Sequence, residues 1–133
     1  MNILVMGHDK PVTYLIEMLV DNQHNVLYLD TNPESVNVMT IKEETMKVIR
    51  SSGSLIEDLR HAKVDTMELF LAFSNDDNSN IMAAQIASHI FHVPKVLCLI
   101  GDIKRSQVYK NLAIEVITPN QVLLDKVLSE IQV

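Results

Sequence analysis

Apolar and polar residues follow one another along the chain in blocks that predict strands and helices in regular succession. Short apolar runs of roughly four to eight residues indicate buried strands, and apolar residues spaced three or four apart indicate amphipathic helices. We predict strands at 2–6, 25–30, 47–50, 67–73, 95–100 and 115–117. We predict helices at 12–20, at 32–34 and onward, and at 54–60, 78–91, 104–112 and 120–131.

The alternation of strand and helix predicts the fold class. Strands joined by helices form parallel sheets, and right-handed crossovers place helices on both faces. We therefore expect an α/β fold, a Rossmann-like doubly wound parallel sheet of about six strands. No long linker or internal repeat divides the chain, so residues 1–133 are expected to form a single domain without a second ligand-binding domain.

Composition narrows the range of partners. The net charge is -6 and no Lys/Arg cluster marks one face, so no nucleic acid is expected as a partner. No apolar run approaches the roughly 20 residues that span a bilayer, and residues 1–7 do not resemble a signal peptide, so no direct membrane insertion is expected. The single cysteine, Cys98, fits a reducing compartment, and we expect a cytoplasmic location.

Several local signatures occur in a characteristic order: ILVMG at 3–7, VLYLDTNPESV at 26–36, LAFSNDDNSNIMAAQIA at 71–87, VPKVL at 93–97 and VYKNLAIEVITPNQVL at 108–123. Together they resemble the N-terminal domain of the RCK family (regulators of potassium conductance, also called TrkA-N domains). The resemblance implies a Rossmann fold that binds NAD(H), ATP, ADP or a related nucleotide. It also implies dimers, often assembled into rings, that couple the ligand state to a separate membrane pore.

The loop after the first strand departs from the pattern G-x-G-x-x-G, in which the glycines allow a tight turn, phosphate approach and close packing. The residues here are GHDKPV at 7–12, so Gly7 alone fits. Asp9 would lie near a phosphate, and two like charges 4 Å apart cost about 4 kcal/mol at an effective dielectric near 20. Lys10 and a protonated His8 would partly offset the loss of donors. The alternative is a simple strand-to-helix turn, which Asp9 would cap.

Asp30 is the best retained feature of a nucleotide site. It ends the second strand about 20 residues after Gly7, where a carboxylate accepts hydrogen bonds from ribose hydroxyls. Thr31, the next residue, is a further candidate for nucleotide binding. Helix capping or ordinary loop polarity before Asn32 and Pro33 explains Asp30 equally well. In the family, a Gly-Asp pair after the third strand helps to recognise adenine, and Ser51 and Ser52 stand there in this chain.

The end of the fourth strand, with Ala72, Ser74 and Asn75, resembles the family segment that passes beside the nucleotide. Asp76 and Asp77 follow at a helix start, where adjacent carboxylates act more often as caps than as an acid–base pair. In many family members an arginine near the end of the fifth strand meets the phosphates, and Leu99 aligns there. The phosphate side is therefore depleted, which favours a nucleoside, an unusually bound mononucleotide or an empty site over intact NAD.

These features favour a regulatory subunit or domain of a potassium transport or channel system that senses an adenine nucleotide, NAD(H), ATP, ADP or AMP. Such a protein would lie at the membrane through a transporter or channel subunit and would form a homodimer or larger ring. The alternative is a ligand-free assembly module with a degenerate site.

A dehydrogenase would need an acid–base residue and a substrate site. The sequence offers neither convincingly, so we expect no enzyme. No metal site is expected from His89, His92 and Cys98, because ligation needs three or four convergent ligands.

The final helix leaves one question open. Its apolar residues exceed what a solvent-exposed terminal helix needs, so it packs either on its own sheet or on a partner. They are Val122, Leu123, Val127, Leu128 and Ile131.

Overall fold

The strands of the computed structural model form one parallel sheet. The structure describes residues 1–7, 10–30, 46–50, 53–109 and 114–132. The strands are β1 (Asn2–Met6), β2 (Asn25–Asp30), β3 (Met46–Arg50), β4 (Leu69–Ala72), β5 (Lys95–Leu99) and β6 (Glu115–Ile117). The α-helices are α1 (Lys10–Asp21), α2 (Leu55–His61), α3 (Asp77–Gln85), α4 (Ile103–Val108) and α5 (Pro119–Ile131).

The strand order β3-β2-β1-β4-β5-β6 confirms the predicted doubly wound sheet. Every neighbouring pair runs parallel. The chain winds outward from β1 in one direction and from β4 in the other. Met6, at the end of β1, pairs with Leu29 of β2 on one side and with Ala72 of β4 on the other. The switch point between β1 and β4 is the place where sheets of this kind bind ligands, outside the carboxyl ends of the strands.

Two apolar clusters cover the two faces of the sheet, because side chains on a strand point alternately to opposite sides. On one face, Val12 and Ile16 of α1 pack against a cluster that contains Val5 and Tyr28. The larger cluster on the other face combines α2 and α3 with the sheet, and Leu59 of α2 is fully buried in it. The prediction of helices on both faces is therefore confirmed.

Several predicted boundaries were wrong by a few residues. β4 spans Leu69–Ala72 and not 67–73, because Met67 closes a 3₁₀ turn over Val64–Thr66 and donates its N–H to the Val64 carbonyl at 2.9 Å. α4 ends at Val108 and not at Leu112, because the Tyr109 N–H turns to the Ser106 carbonyl at 3.2 Å. Ser54 occupies the predicted cap position of α2, but its side chain makes no capping hydrogen bond. The helix predicted from Asn32 lies outside the described residues.

The helix predicted at 78–91 is α-helical only as far as Gln85 and continues as a π-helical turn over Ile86–Ile90. His92 then adopts a left-handed conformation with φ +55°. The Val93 N–H donates to the Ala87 carbonyl, six residues earlier, at 3.0 Å. A left-handed residue followed by a hydrogen bond back to the last turn is a common way for a helix to end. This arrangement returns Val93 to the core before β5 begins.

The structure shows that α5 does not bury its apolar residues against its own sheet. None of its residues is buried. The most exposed apolar side chains are Val122 at 61%, Leu123 at 60% and Ile131 at 67%. Within the described residues the helix therefore gains little from packing on its own chain. No helix in the described part of the chain combines the length and apolar character needed to cross a membrane.

Candidate ligand crevice at the carboxyl edge of the sheet

Gly7 lies at the switch point, where the backbones that follow β1 and β4 come into close contact. Its φ is +140°, a conformation that residues with a Cβ rarely adopt. A Cβ built at Gly7 would lie 2.2 Å from the Phe73 carbonyl oxygen and 3.1 Å from the Ser74 nitrogen. The Phe73 N–H donates to the Met6 carbonyl at 2.7 Å and fixes this approach. The close approach of the two backbones at the ends of β1 and β4 therefore requires a glycine at position 7.

Asp30 ends β2 on the other side of β1 and is only 3% exposed. It lies at the carboxyl end of the strand, and its contact with a ribose stays a prediction. Five other predicted site residues lie outside the described residues: His8, Asp9, Thr31, Ser51 and Ser52. The backbone of Lys10 begins α1, so the chain enters a helix at the point expected for a phosphate loop. Pro11 occupies the second position of that helix, where its missing N–H costs little.

The end of β4 is organised by Asn80, a residue that the sequence analysis did not select. Asn80 is fully buried. Its side-chain oxygen accepts hydrogen bonds from the Ser74 N–H at 2.8 Å and from the Ser74 hydroxyl at 2.7 Å. Its amide nitrogen donates to the carbonyls of Ser74 at 2.8 Å and Leu99 at 2.9 Å. The four hydrogen bonds tie the ends of β4 and β5 together.

The three residues predicted to contact a nucleotide at the end of β4 differ in their exposure to solvent. Ala72 is fully buried, with its side chain in the larger apolar cluster. Ser74 is buried and both its donors point to Asn80, so neither faces the crevice. Asn75 alone is exposed. A signal for Asn80 did exist in the sequence, because an asparagine in the apolar face of a predicted helix needs hydrogen-bond partners.

Asp76 is the N-cap of α3, as predicted for this pair of carboxylates. Its side chain accepts from the Ser79 hydroxyl at 2.7 Å and from the Asn78 N–H at 3.3 Å. The hydrogen bond from Ser79 is the main cause that lowers the pKa of the Asp76 carboxyl, and it acts against the effect of desolvation. A carboxylate held ionised in this way stabilises the positive end of the helix.

Asp77 lies in the first turn of α3 and also bridges to the loop after β5. Its carboxylate accepts from the Gly101 N–H at 2.9 Å and the Asp102 N–H at 3.3 Å. Asp102 in turn caps α4 and accepts from the backbone N–H groups of Lys104 at 2.9 Å and Arg105 at 3.2 Å. The Arg105 guanidinium donates to the Asn78 side chain. The start of α3 and the loop before α4 are thus one polar unit.

The remaining candidates do not converge on a ligand. The side chain of Leu99 is half-buried against the α1 side of the sheet. His89 and His92 are exposed, whereas Cys98 is fully buried and its burial raises the pKa of the thiol to about 12. Among the described residues, no group of three or more His, Cys, Asp or Glu side chains could hold a metal ion.

The chemistry of the crevice is therefore uneven. On the β1–β2 side stands the buried Asp30 carboxylate, which suits hydroxyl donors. On the β4–β5 side, the backbone N–H groups of Ser74, Gly101 and Asp102 donate to side chains of α3, and both carboxylates and the Arg105 guanidinium lie at the starts of α3 and α4.

The strand order, the Gly7 contact at the switch point and the carboxylate that ends β2 place the chain among Rossmann-like domains. Within that class, the model of the TrkA-N domain matches residues 3–119, and the chain belongs to this family. The resemblance seen in the sequence is thereby confirmed.

Comparison with known proteins gives the same assignment. The chain is 30% identical over 128 residues to the Trk system potassium uptake protein TrkA of Streptomyces coelicolor, and the match covers 96% of this chain and 57% of that protein. The chain spans 57% of the length of that protein and 29% of the length of the Trk system potassium uptake protein TrkA of Halomonas elongata, to which it is 22% identical over 133 residues.

Solved structures share the fold. The NAD(P)-binding domain of an exopolyphosphatase-related protein from Archaeoglobus fulgidus superposes with a TM-score of 0.76 at 14% identity, covering 98% of this chain and 96% of that one. The C-terminal domain of Kef from Shewanella denitrificans, in an AMP-bound form, gives 0.71 at 13% identity, covering 100% and 83%. At these identities the likeness shows the fold alone.

Proposed function

We propose that the chain is a regulatory domain of a potassium uptake system and that an adenine-containing ligand at the carboxyl edge of the sheet controls it. The observation that carries the proposal is the buried Asp30 carboxylate at the end of β2, beside the switch point. A ligand that prefers one conformation of the domain over another would shift the balance between them. The proposal assigns no catalytic residue.

Two findings on other proteins support the ligand and the partner. The related TrkA of Streptomyces coelicolor is named as a potassium uptake protein of the Trk system. The Kef domain of the same fold was solved with AMP bound. We therefore propose AMP, ADP, ATP or NAD(H) as the ligand class and a membrane potassium transporter subunit as the partner.

Thermal unfolding of the purified chain with AMP, ADP, ATP, NAD and NADH tests the proposal. A ligand present at a hundred times its Kd stabilises the folded state by about 2.7 kcal/mol. For a domain of this size we expect a rise in Tm of roughly 10 °C. Asp30→Asn, which keeps the shape and removes the charge, is expected to abolish most of the rise. Asp65→Asn, at an exposed position in the 3₁₀ turn, is the matched control.

No rise with any of these ligands at millimolar concentration would contradict sensing and favour a ligand-free assembly module. A rise that persists in Asp30→Asn would keep the ligand but refute the role of Asp30. Because the fold is common to both functions, the ligand response is the measurement that separates them.

We also propose that the chain forms a homodimer, as a minimal unit of a larger ring, through α5. The helix carries six large apolar side chains that are each at least 46% exposed. Large exposed apolar patches of this kind mark interaction surfaces. A second copy would bury this stripe against itself or against the neighbouring sheet, which the chain does not do alone.

Sedimentation equilibrium of the wild type and of Leu123→Glu/Val127→Glu tests this assembly. Leu123 and Val127 lie four residues apart, on one face of the helix. Because α5 buries no residue in its own chain, the double variant is expected to dissociate the dimer while leaving Tm at high dilution nearly unchanged. Ser129→Glu, an exposed position on the same helix, is the control. A monomeric wild type would refute the proposal.

A further inference from the structure

α4 buries little apolar surface. Of the residues of this helix, all of which the structure describes, only Ser106 is buried. Ile103 is half-buried and Val108 is 72% exposed. Tyr109, directly after the helix, is also half-buried and packs against the larger apolar cluster. Because α3 buries several apolar side chains in that cluster, burial holds α4 less firmly than it holds α3.

Polar contacts instead join α4 and the loop before it to α3. The Asp77 carboxylate accepts from the Gly101 N–H at 2.9 Å and from the Asp102 N–H at 3.3 Å, and the Arg105 guanidinium donates to the Asn78 side chain. We call these three contacts the α3–α4 latch. They lie at the exposed surface, so water can replace each partner when the latch breaks, and no buried polar group is left without a partner.

The sheet beneath α4 is held by other bonds. β5 pairs with β4 on one side and with β6 on the other. The Asn80 amide donates to the Leu99 carbonyl at 2.9 Å, and the Ile100 N–H donates to the Ile117 carbonyl at 3.0 Å. None of these bonds belongs to the latch, and Gly101 directly follows the last of them. The backbone freedom of that glycine allows the chain to turn there without disturbing β5.

We propose that α4 is a movable segment, which the α3–α4 latch holds closed and which opens at the carboxyl edge of the sheet while the sheet stays folded. A molecule that binds more tightly to one of the two states shifts the balance between them, so the latch is a point at which the domain can be regulated. The inference goes beyond the proposed function, because it concerns the unliganded chain and holds whichever ligand binds.

Hydrogen exchange of single backbone amides in the unliganded chain, followed by NMR at several low urea concentrations, tests the proposal. The Ser106 N–H, which donates to the Asp102 carbonyl at 2.9 Å, reports on α4, and the Leu71 N–H reports on the sheet. We expect Ser106 to exchange at least about tenfold faster than Leu71. Its rate should be nearly independent of urea, because local opening exposes little surface.

Asp77→Asn keeps the shape of the side chain and removes its charge. The exchange of Ser106 is expected to rise at least about threefold, because two charge-assisted hydrogen bonds are weakened. Ile16→Val is the matched control, since Ile16 is fully buried on the opposite face of the sheet. It lowers the stability of the whole domain, so it should speed the exchange of Leu71 and leave that of Ser106 unchanged.

Two results would overturn the proposal. If Ser106 and Leu71 exchanged with the same free energy and the same urea dependence, α4 would open only when the whole domain unfolds. If the exchange of Ser106 were unchanged in folded Asp77→Asn, the latch would not be what holds α4 closed. Both measurements are made without ligand, so neither result can be confused with a failure of nucleotide sensing.

Discussion

Replacing Gly7 by alanine is expected to destabilise the domain severely, for a reason that does not involve any ligand. The new Cβ would lie 2.2 Å from the Phe73 carbonyl oxygen and 2.6 Å from its carbonyl carbon. Both are backbone atoms of the chain leaving β4, so neither can rotate away. The positive φ of +140° adds conformational strain at the same residue.

The two costs can be estimated separately. A side-chain atom forced into a packed region costs about 1–3 kcal/mol, and a backbone conformation unsuited to alanine costs about 1–3 kcal/mol. Their sum, roughly 2–6 kcal/mol, is a large share of the 5–15 kcal/mol that stabilises a typical domain. At about 3–4 °C per kcal/mol for a domain of this length, Tm is expected to fall by roughly 6–24 °C.

The other glycines of the chain supply matched controls for thermal unfolding followed by circular dichroism. Gly53 also has a positive φ, +95°, but no atom of the described residues lies within 4 Å of a Cβ there, so Gly53→Ala tests strain alone. At Gly101 the nearest atom would be the Asp77 Oδ1 at 3.7 Å, an ordinary contact, so Tm is expected to change by no more than about 2 °C. Equal losses in Gly7→Ala and Gly53→Ala would refute the steric contribution. An unchanged Tm in Gly7→Ala would refute both contributions.

Three further predictions follow from the polar groups. Asn80→Leu would leave buried partners unsatisfied and is expected to lower the free energy of unfolding in urea by at least about 3 kcal/mol, whereas Asn75→Ala at the exposed loop should change it little. Asp76→Ala should lower Tm at neutral pH, and because the pKa of that carboxyl is lowered by folding, the difference should shrink as the pH falls through the folded pKa. With its pKa raised to about 12, the Cys98 thiol should react with a disulfide reagent only on unfolding, and rapid labelling of the folded protein would contradict its burial.

The order of elements was predictable because each strand is short, apolar and bounded by polar residues, and this pattern survives in a sheet buried on both faces. The ends were less predictable where tertiary contacts decide them. β4 begins two residues later than predicted because the Met67 N–H closes the 3₁₀ turn over Val64–Thr66. The π-helical turn before Phe91 is closed by the Val93 N–H, which donates to the Ala87 carbonyl. A single-sequence pattern contains neither constraint.

The placement of a ligand site at the carboxyl edge of the sheet stays a prediction, but the structure shows which hydrogen bonds the sequence could not reveal there. The sequence pointed to Gly7, Asp30 and the end of β4 by their place in a motif. The roles of Asn80 and Asp77 depend on loops about 20 residues away in sequence, at Leu99 and Gly101, which only the fold brings together. Ser74 was predicted to lie beside a nucleotide because its segment resembles that of the family, and the structure shows that its N–H and its hydroxyl both donate to Asn80.

Gly7 and Asp30 differ in what they say about function. The close approach of the backbones that follow β1 and β4 requires Gly7 whether or not a ligand binds, so this glycine is no evidence for nucleotide binding. Asp30 is different, because a carboxylate that is 3% exposed needs hydrogen-bond donors, and either the fold or a ligand can supply them. If Asp30 serves only the fold, Asp30→Asn should lower Tm without changing any ligand response. If it also serves a ligand, the same substitution should remove the rise in Tm with AMP, whatever its effect on the Tm of the unliganded protein.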